Sequence, residues 1–360
     1  MSAIASDALI EAYARVGEAN RRAFAALAVV LSRFRDRRID VLLLKGADVL
    51  PRLYGVWGAR SLTDVDMLVR EADLQAVDDV LRALGYAPVI DGNPAYQAPD
   101  RSLWLDLVTR IWYAADTEEI WRRSVRRDVG EFPVRAMGAE DLLLYLTAYS
   151  VLHRGHFQPS YAQDLSLLVR RERLDWAFIL DEARRANLRI PLAHGLAWGA
   201  RHASVPIPDH VLRSLEPSSR AERVWRVVLR RLVTDEAMDG VGHFLLLASQ
   251  PRGRRWSWLR RALWPSRAFL AWRYGDGGGC RGRRVRRVAR LALQGLGLSR
   301  AIIFRLLRPA PRSRPAARAS RTGGEAPGEA CVHQVEALDR RERAEPRAQA
   351  LDEVARIAGR

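Results

Sequence analysis

Three aspartates in apolar surroundings have the type and spacing to do chemistry. Asp64 and Asp66 precede the apolar run 67–69, and Asp106 stands between two leucines. Side chains two residues apart on a strand project from the same face, so Asp64 and Asp66 should point together. Neighbouring carboxylates repel each other unless a cation lies between them, and Mg²⁺ prefers oxygen ligands. Three such acids can hold two metal ions for an in-line displacement at phosphorus. The alternative is that Asp64 and Asp66 are solvated edge residues or helix caps.

A second group of residues could bind phosphate. Lys45 is the only lysine among 59 basic residues, and it directly precedes Gly46. Lysine carries a compact ammonium on a flexible stem, whereas arginine carries a planar fork, so the two are not interchangeable at a tight phosphate site. Arg60 and Ser61 stand just before the aspartate pair, where a loop could meet phosphate oxygens. The alternative is that a single lysine has survived by drift in an arginine-biased genome.

Short strands must position these residues. The apolar run 41–44 is too brief for a helix and predicts a buried strand that ends directly before Lys45. Segments 64–69 and 103–108 predict a second and a third strand, so Asp106 should face the same cleft as the aspartate pair. Helical patterns precede and separate the strands, at 6–38, 47–54 and 74–84. This β-α-β-α-β order, with short strands, predicts a small α/β domain.

The remainder of the chain changes character twice. Helical segments dominate after Gly138, most clearly at 140–152, 161–169, 176–186 and 192–203. After Pro309 the sequence is rich in Ala, Arg, Pro, Gly and Glu, with little to bury, which favours disorder. The predicted organisation is an α/β domain at 1–135, a helical domain at 136–250, a basic amphipathic segment at 251–308 and a disordered tail at 309–360.

The positive charge is concentrated in one segment. The net charge is +17, and the stretch from Arg252 to Arg308 holds 16 arginines and one acid. The rest of the chain is therefore nearly neutral. Two cysteines do not suggest a disulfide framework or a zinc site. The acids Asp7 and Glu11 interrupt the apolar stretch that a signal peptide needs. With no apolar run long enough to span a bilayer, we expect a cytoplasmic protein.

The basic segment 251–308 mixes arginines with tryptophans and aliphatic residues. Basic amphipathic helices of this kind can lie on an anionic membrane surface or bind nucleic acid. The simplest alternative is that the segment completes the helical domain, with its arginines forming a solvated face. We expect first that the segment packs on the helical domain, second that it lies on an anionic membrane, and third that it binds nucleic acid.

Weaker signals lie in the helical part. His153 and His156 are three residues apart, but no third ligand is evident, so we expect a structural or cleft-lining role. Asp164 could stabilise the start of a helix through the helix dipole or touch a substrate. The glycines at 277–279 predict a linker, because a phosphate-binding loop of the familiar type requires a lysine.

Several of these motifs together resemble a known family. The chain is similar to the poorly characterised bacterial nucleotidyltransferase family, within the superfamily of DNA polymerase β-like nucleotidyltransferases. The resemblance covers about residues 20–275, with weak matches beyond the aspartates. The motifs that carry it are Lys45-Gly46, Tyr54-Gly55, Arg60-Ser61, Asp64-Val65-Asp66 and Leu84-Gly85-Tyr86.

The resemblance implies an α+β fold with a small mixed sheet of the nucleotidyltransferase type. It also implies transfer of a nucleoside monophosphate from an NTP, such as ATP, with two Mg²⁺ ions. It implies that Asp64, Asp66 and Asp106 are the metal ligands, and Asp106 is also a candidate general base. The acceptor hydroxyl is left open among a sugar, a small metabolite and a protein. The other hypothesis is a non-catalytic nucleotide-binding module, or an assembly factor that docks at a membrane through 251–308.

The family resemblance also bears on the triphosphate site. Lys45, Gly46, Arg60 and Ser61 should line it. The superfamily pattern has a Gly-Ser turn after the first strand, whereas this chain has Gly46-Ala47. The serine hydroxyl is thus missing, and we expect Lys45 or Ser61 to replace its phosphate contact.

Overall fold

The structure is a computed structural model. It describes residues 3–90, 94–114, 116–129, 132–238, 240–250, 253, 255, 256, 260, 263, 264 and 280–307. These residues fall into two compact units, one up to Leu142 and one from Leu143.

The first unit is built on a seven-stranded mixed sheet. Its strand order is β3-β4-β5-β2-β1-β7-β6. β1 pairs antiparallel with β2, β2 pairs parallel with β5, and β1 pairs parallel with β7. The strands are β1 (Val41–Leu44), β2 (Val65–Val69), β3 (Ala87–Ile90), β4 (Pro94–Gln97), β5 (Trp104–Val108), β6 (Val125–Val129) and β7 (Phe132–Ala136).

Four helices accompany the sheet. The long first helix contacts β7 and the third helix. The second helix starts directly after Lys45 and continues as one π-helical turn, Leu50–Tyr54. The helices are α1 (Ala3–Asp36), α2 (Gly46–Val49), α3 (Leu74–Ala83) and α4 (Thr117–Arg123).

Burial of the central strands explains why the sequence indicates them. Every residue of β1 and β2 is buried, and strands covered on both faces have continuous apolar runs. β5 is different, since it alternates between buried and half-buried positions. The expected α+β fold with a mixed sheet is confirmed, and these three strands lie where the sequence predicts them.

Four strands and one helix escape the sequence pattern. The three-strand β-α-β-α-β order was wrong, because β3, β4, β6 and β7 complete the sheet. Proline begins β4 and occurs inside the edge strand β3, where a missing N–H donor is tolerated. The other edge strand, β6, carries three charges in its five residues. These strands therefore lack the apolar signal that marks β1 and β2, and α4 is a short helix between β5 and β6.

The second unit is helical among its described residues. Helices are found at or near all four strongest predicted segments, 140–152, 161–169, 176–186 and 192–203. The helices are α5 (Ala139–Ala148), which begins in the first unit and continues as a π turn to Arg154, α6 (Pro159–Arg171), α7 (Trp176–Arg185), α8 (Arg189–His202), α9 (Asp209–Ser214), α10 (Arg220–Leu232), α11 (Val241–Ser249) and α12 (Cys280–Leu307).

Parts of the predicted organisation lie outside the described residues. The tail 309–360 and the glycine linker are among them, and 251–279 is described at only six positions. Among the described helices, none is both long and apolar enough to cross a membrane.

Candidate active site

The three predicted acids meet at the middle of the sheet. Asp66 on β2 is in register with Asp106 on the parallel neighbour β5, and Asp64 immediately precedes β2. One carboxylate oxygen of each acid lies within 4.8 Å of one of each of the others. Asp66 is buried, while Asp64 and Asp106 are half-buried. The register of two parallel strands thus produces a cluster of three carboxylates.

Each carboxylate has one oxygen bonded to a neighbouring donor. The Thr63 hydroxyl donates to Asp64 Oδ1 at 2.8 Å, and the Trp104 indole N–H donates to Asp106 Oδ1 at 2.9 Å. The Lys45 ammonium donates to Asp66 Oδ1 at 2.5 Å. Donors of this kind orient the first-shell oxygens of metal sites. Sequence reasoning missed Trp104, although its position two residues before Asp106 places both side chains on one face of β5.

The electrostatics of Asp66 indicate a site that lacks positive charge. Burial is the largest influence and raises the pKa of Asp66 to about 6, from an ordinary value of 3.8. The Lys45 ammonium lowers this pKa, whereas the neighbouring Asp64 and Asp106 carboxylates raise it further. One lysine therefore does not compensate for burial and two like charges. A divalent cation among the three acids would do so, since hard cations bind carboxylate oxygens.

Lys45 has an unusual backbone conformation. Its φ is 47° and its ψ is −127°, a region that suits glycine and costs other residues about 1–3 kcal/mol. The preceding strand β1 pairs Leu44 with Asp66, so the turn at Lys45 begins level with the acid cluster. The side chain is 16% exposed. A strained, nearly buried lysine on an acidic cluster is typical of a functional residue rather than of drift.

Gly46 and Arg60 lie against each other. A Cβ at Gly46 would come within 2.4 Å of Arg60 Nη1 and 2.8 Å of the Leu62 side chain. Any side chain at position 46 would displace the guanidinium, so the glycine is needed for this close approach. Ser61 follows on the same loop and is exposed. The structure thus pairs Lys45 with Asp66 and Gly46 with Arg60, and leaves Ser61 at the surface.

The weaker candidates lie in the second unit and form no comparable cluster. His153 stacks on Tyr149 with ring centroids 4.9 Å apart, and His156 Nδ1 lies 3.3 Å from the Arg154 carbonyl. Asp164 is buried in the middle of α6, away from the first turn where the helix dipole acts. Within the described residues, the aspartate triad is the group that could hold a metal.

An Asp-x-Asp at the start of β2 and a third aspartate on the neighbouring strand β5 of a mixed sheet match the acid pattern expected of the nucleotidyltransferase class of enzymes. The family model described as "Uncharacterised nucleotidyltransferase" matches residues 1–202. The chain belongs to this family, and it is a transferase of the nucleotidyltransferase type. The family resemblance predicted from the sequence is therefore confirmed.

Solved structures of nucleotidyltransferases resemble part of the chain. An antigenic nucleotidyltransferase-like protein from Paracoccidioides brasiliensis is 14% identical, with a TM-score of 0.40, over 53% of this chain and 93% of that one. The antibiotic-resistance factor ANT(2'')-Ia is 14% identical in its solution structure, with a TM-score of 0.34, over 50% of this chain and 93% of that one. A crystal structure of ANT(2'')-Ia with adenylyl-2''-tobramycin is 15% identical, with a TM-score of 0.33, over 48% and 97%. No curated protein matches the chain.

Proposed function

We propose that this protein transfers a nucleoside monophosphate from an NTP, such as ATP, to an acceptor hydroxyl in a Mg²⁺-dependent reaction. The observation that carries the proposal is the triad of Asp64, Asp66 and Asp106, with its oxygens within 4.8 Å of one another. Carboxylates this close repel each other at neutral pH. Such a cluster is useful to a protein that binds cations there.

The donor set fits magnesium. All three side chains offer hard carboxylate oxygens, and each is already oriented by one hydrogen-bond donor. Two bound Mg²⁺ ions would activate the attacking oxygen and neutralise the charge that develops on the pyrophosphate. Asp64, Asp66 and Asp106 are the residues that would hold them.

The chain's own residues would bind and orient the triphosphate. The Lys45 ammonium, 16% exposed, donates to Asp66 and is long and flexible enough to donate to a phosphate oxygen beside it as well. Arg60, held against Gly46, offers a planar guanidinium suited to phosphate. Ser61 offers an exposed hydroxyl on the same loop. These groups stand in for the serine that is absent at position 47.

Proton transfer falls to Asp106 in this proposal. The acceptor oxygen attacks the α-phosphorus, the bond from that phosphorus to the bridging oxygen breaks, and pyrophosphate leaves. The hydroxyl proton passes to Asp106, one of whose oxygens accepts from Trp104. The acceptor is a sugar, a small metabolite or a protein hydroxyl.

Pyrophosphate release from labelled NTPs with candidate acceptors tests the proposal. Asp64→Asn and Asp66→Asn should each abolish Mg²⁺-dependent release, because each removes a metal ligand. The matched control is Asp181→Asn, a 68% exposed aspartate on α7, which should behave as the wild type. Failure of the wild type to bind any NTP in the presence of Mg²⁺ would refute the proposal.

A second candidate property is docking of this cytoplasmic enzyme at an anionic membrane surface. On α12, four apolar residues that are 55–78% exposed lie within roughly 40° of one another at about 100° per residue. They are Val285, Leu296, Ile303 and Leu307. The helix also carries eight arginines and no acid. An apolar stripe on a cationic helix complements an anionic bilayer, whereas nucleic acid would leave the stripe in water.

Co-sedimentation with vesicles tests this property. The protein should bind phosphatidylserine vesicles and not phosphatidylcholine vesicles, and Leu296→Glu with Ile303→Glu should abolish the binding. Val224→Glu is the control, because Val224 is equally exposed but lies on α10. Equal binding to both vesicle types, or binding that survives the double substitution, would refute docking through α12.

A further inference from the structure

One face of α1 lies on the loop that carries Arg60. We call residues 55–62 the arginine loop. Tyr13, Gly17, Asn20 and Phe24 follow one another at intervals of four, three and four residues, which places them on one helix face. Each of the four contacts the arginine loop. This face of α1 is therefore dedicated to the loop.

Asn20 makes the polar part of this contact. Its side-chain amide donates to the Trp57 carbonyl at 2.6 Å and to the Arg60 carbonyl at 2.7 Å. Its side-chain oxygen accepts from the Leu62 N–H at 3.2 Å. The residue is 1% exposed. Both donor hydrogens and the acceptor oxygen of one buried carboxamide are thus bonded to three positions of a single loop.

The rest of the contact is a close approach of the loop backbone to α1 and a packed pair of aromatic rings. A Cβ at Gly58 would lie 2.6 Å from the Tyr13 carbonyl oxygen and 2.7 Å from the Tyr13 ring. Phe24 and Trp57 pack with ring centroids 4.7 Å apart. The loop therefore has little freedom to slide along the helix, and its position depends on a glycine at 58.

The side of the arginine loop away from α1 faces the turn at Lys45 and Gly46. Arg60 lies against Gly46, and Leu62 approaches the same glycine. Asn20 bonds to the carbonyl of the first and to the amide of the second. The Asn20 side chain is thus hydrogen-bonded to the backbone of the two residues whose side chains lie against Gly46.

We propose that Asn20 is a positioning residue for nucleotide binding, which fixes the arginine loop so that Arg60 is presented to the triphosphate beside Gly46. The inference rests on the proposed function and extends it to a residue about 40 positions away in sequence, outside the motifs that define the site. Asn20 touches no substrate. It acts through the loop. Without Asn20, two loop carbonyls and one loop N–H would lose the hydrogen bonds that fix the loop backbone.

The test separates nucleotide affinity from metal binding. Asn20→Ala should raise the KM for the NTP by about tenfold or more, since three buried hydrogen bonds are lost, and should change kcat by less than about threefold. Stabilisation of the protein by Mg²⁺ alone should be unchanged, because the aspartate triad is not touched. Gly58→Ala, which sets a methyl group against Tyr13 on the same face of α1, should displace the loop and give the same pattern.

Two further variants exclude a general loss of structure. Asn20→Asp keeps the acceptor for the Leu62 amide but sets a carboxylate against two carbonyls, so its effect should be at least as large as that of Asn20→Ala. Asn187→Ala is the matched control, because Asn187 donates its side-chain amide to the Ser249 carbonyl in the second unit. This control should lose stability and keep the wild-type KM.

Hydrogen exchange at Leu62 reports on the loop without any nucleotide. Exchange of this amide should be faster in Asn20→Ala than in the wild type. Unchanged exchange, an unchanged KM, or an equal rise in KM in Asn187→Ala would overturn the inference. If wild-type protein binds no Mg²⁺-NTP while exchange at Leu62 does respond, the proposed function fails and the contact of Asn20 with the loop is still detected.

Discussion

The strained backbone at Lys45 predicts which of two variants at this position is the more stable. Lys45→Ala and Lys45→Gly both remove the ammonium and its hydrogen bond to Asp66. The loss of that interaction therefore cancels when the two variants are compared with each other. What remains is the backbone at φ 47°, ψ −127°, which glycine adopts without strain and alanine does not.

The magnitude follows from two opposing terms. Strain in this region costs a non-glycine residue about 1–3 kcal/mol. The greater freedom of glycine in the unfolded chain destabilises the glycine variant by about 0.4–1 kcal/mol. We therefore expect Lys45→Gly to be more stable than Lys45→Ala by about 1 kcal/mol, although both should lose NTP use.

Urea unfolding in EDTA measures the difference, because metal is then excluded from the acid cluster. Arg82 provides the control, since it is 55% exposed in the last turn of α3 and has no positive φ. There the order should reverse, with the glycine variant less stable than the alanine variant by about 1 kcal/mol. The reasoning fails if Lys45→Ala is the more stable of the two variants at position 45, or if both positions give the same order.

Three further perturbations have defined outcomes. Lys45→Arg should lower kcat/KM for the NTP by about tenfold or more, although the charge is kept, because a planar fork does not replace a point donor. Burial lowers the pKa of His194 to about 4 from 6.5, so the folded state resists its protonation. Stability from His194 is thus complete above pH 6.5 and falls by about 3 kcal/mol as the pH drops to 4, which urea unfolding at each pH would measure. Asp48→Asn should destabilise the protein by about 3 kcal/mol, because it leaves a buried guanidinium without its carboxylate. The partner is Arg52 at 3.1 Å, and both side chains are 2% exposed. Thermal unfolding measures the loss.

Two of these perturbations have a control variant, and the third has a result that would contradict it. His194→Gln can still donate to the Val233 carbonyl, which lies 3.1 Å from His194 Nε2, but does not titrate, so its stability should be flatter between pH 6.5 and 4. An identical pH profile in both proteins would contradict the assignment to His194. Glu11→Gln breaks a surface pair that is more than 70% exposed on both sides and should leave the melting temperature unchanged. Lys45→Arg with full activity would show that the site needs only a charge.

The sequence predicts the central strands of the sheet, which carry the aspartates, better than its edges. β1 is apolar throughout and β2 is apolar except for Asp66, because both strands are buried, so they are visible as runs of hydrophobic residues. The aspartates interrupt such surroundings and are visible for the same reason. β3 and β6 have one open edge, which tolerates proline and charge. Their pairing is decided by the neighbouring strands rather than by their own residues.

Side-chain partners depend on contacts that periodicity does not encode. In the sequence, Asn20 is one polar residue of an amphipathic helix. Its hydrogen bonds in the structure are to three backbone groups 37–42 positions away. The pairing of Lys45 with Asp66 was likewise unpredicted, since the sequence suggested phosphate as the lysine's partner. It follows from the antiparallel register that sets Leu44 opposite Asp66. Local sequence therefore identifies the candidate site residues, and the strand register determines which of them meet.

The register also explains why one lysine persists among arginines. At the end of β1 the chain must turn sharply, and the side chain that leaves this turn meets a buried carboxylate at 2.5 Å. A guanidinium is larger and brings five N–H donors, and any donor that finds no acceptor beside the buried Asp66 would lose its hydration. An ammonium presents a single point of charge, and its flexible stem lets it reach a second anion. We therefore expect position 45 to require small size and reach rather than charge alone, so arginine should fail there.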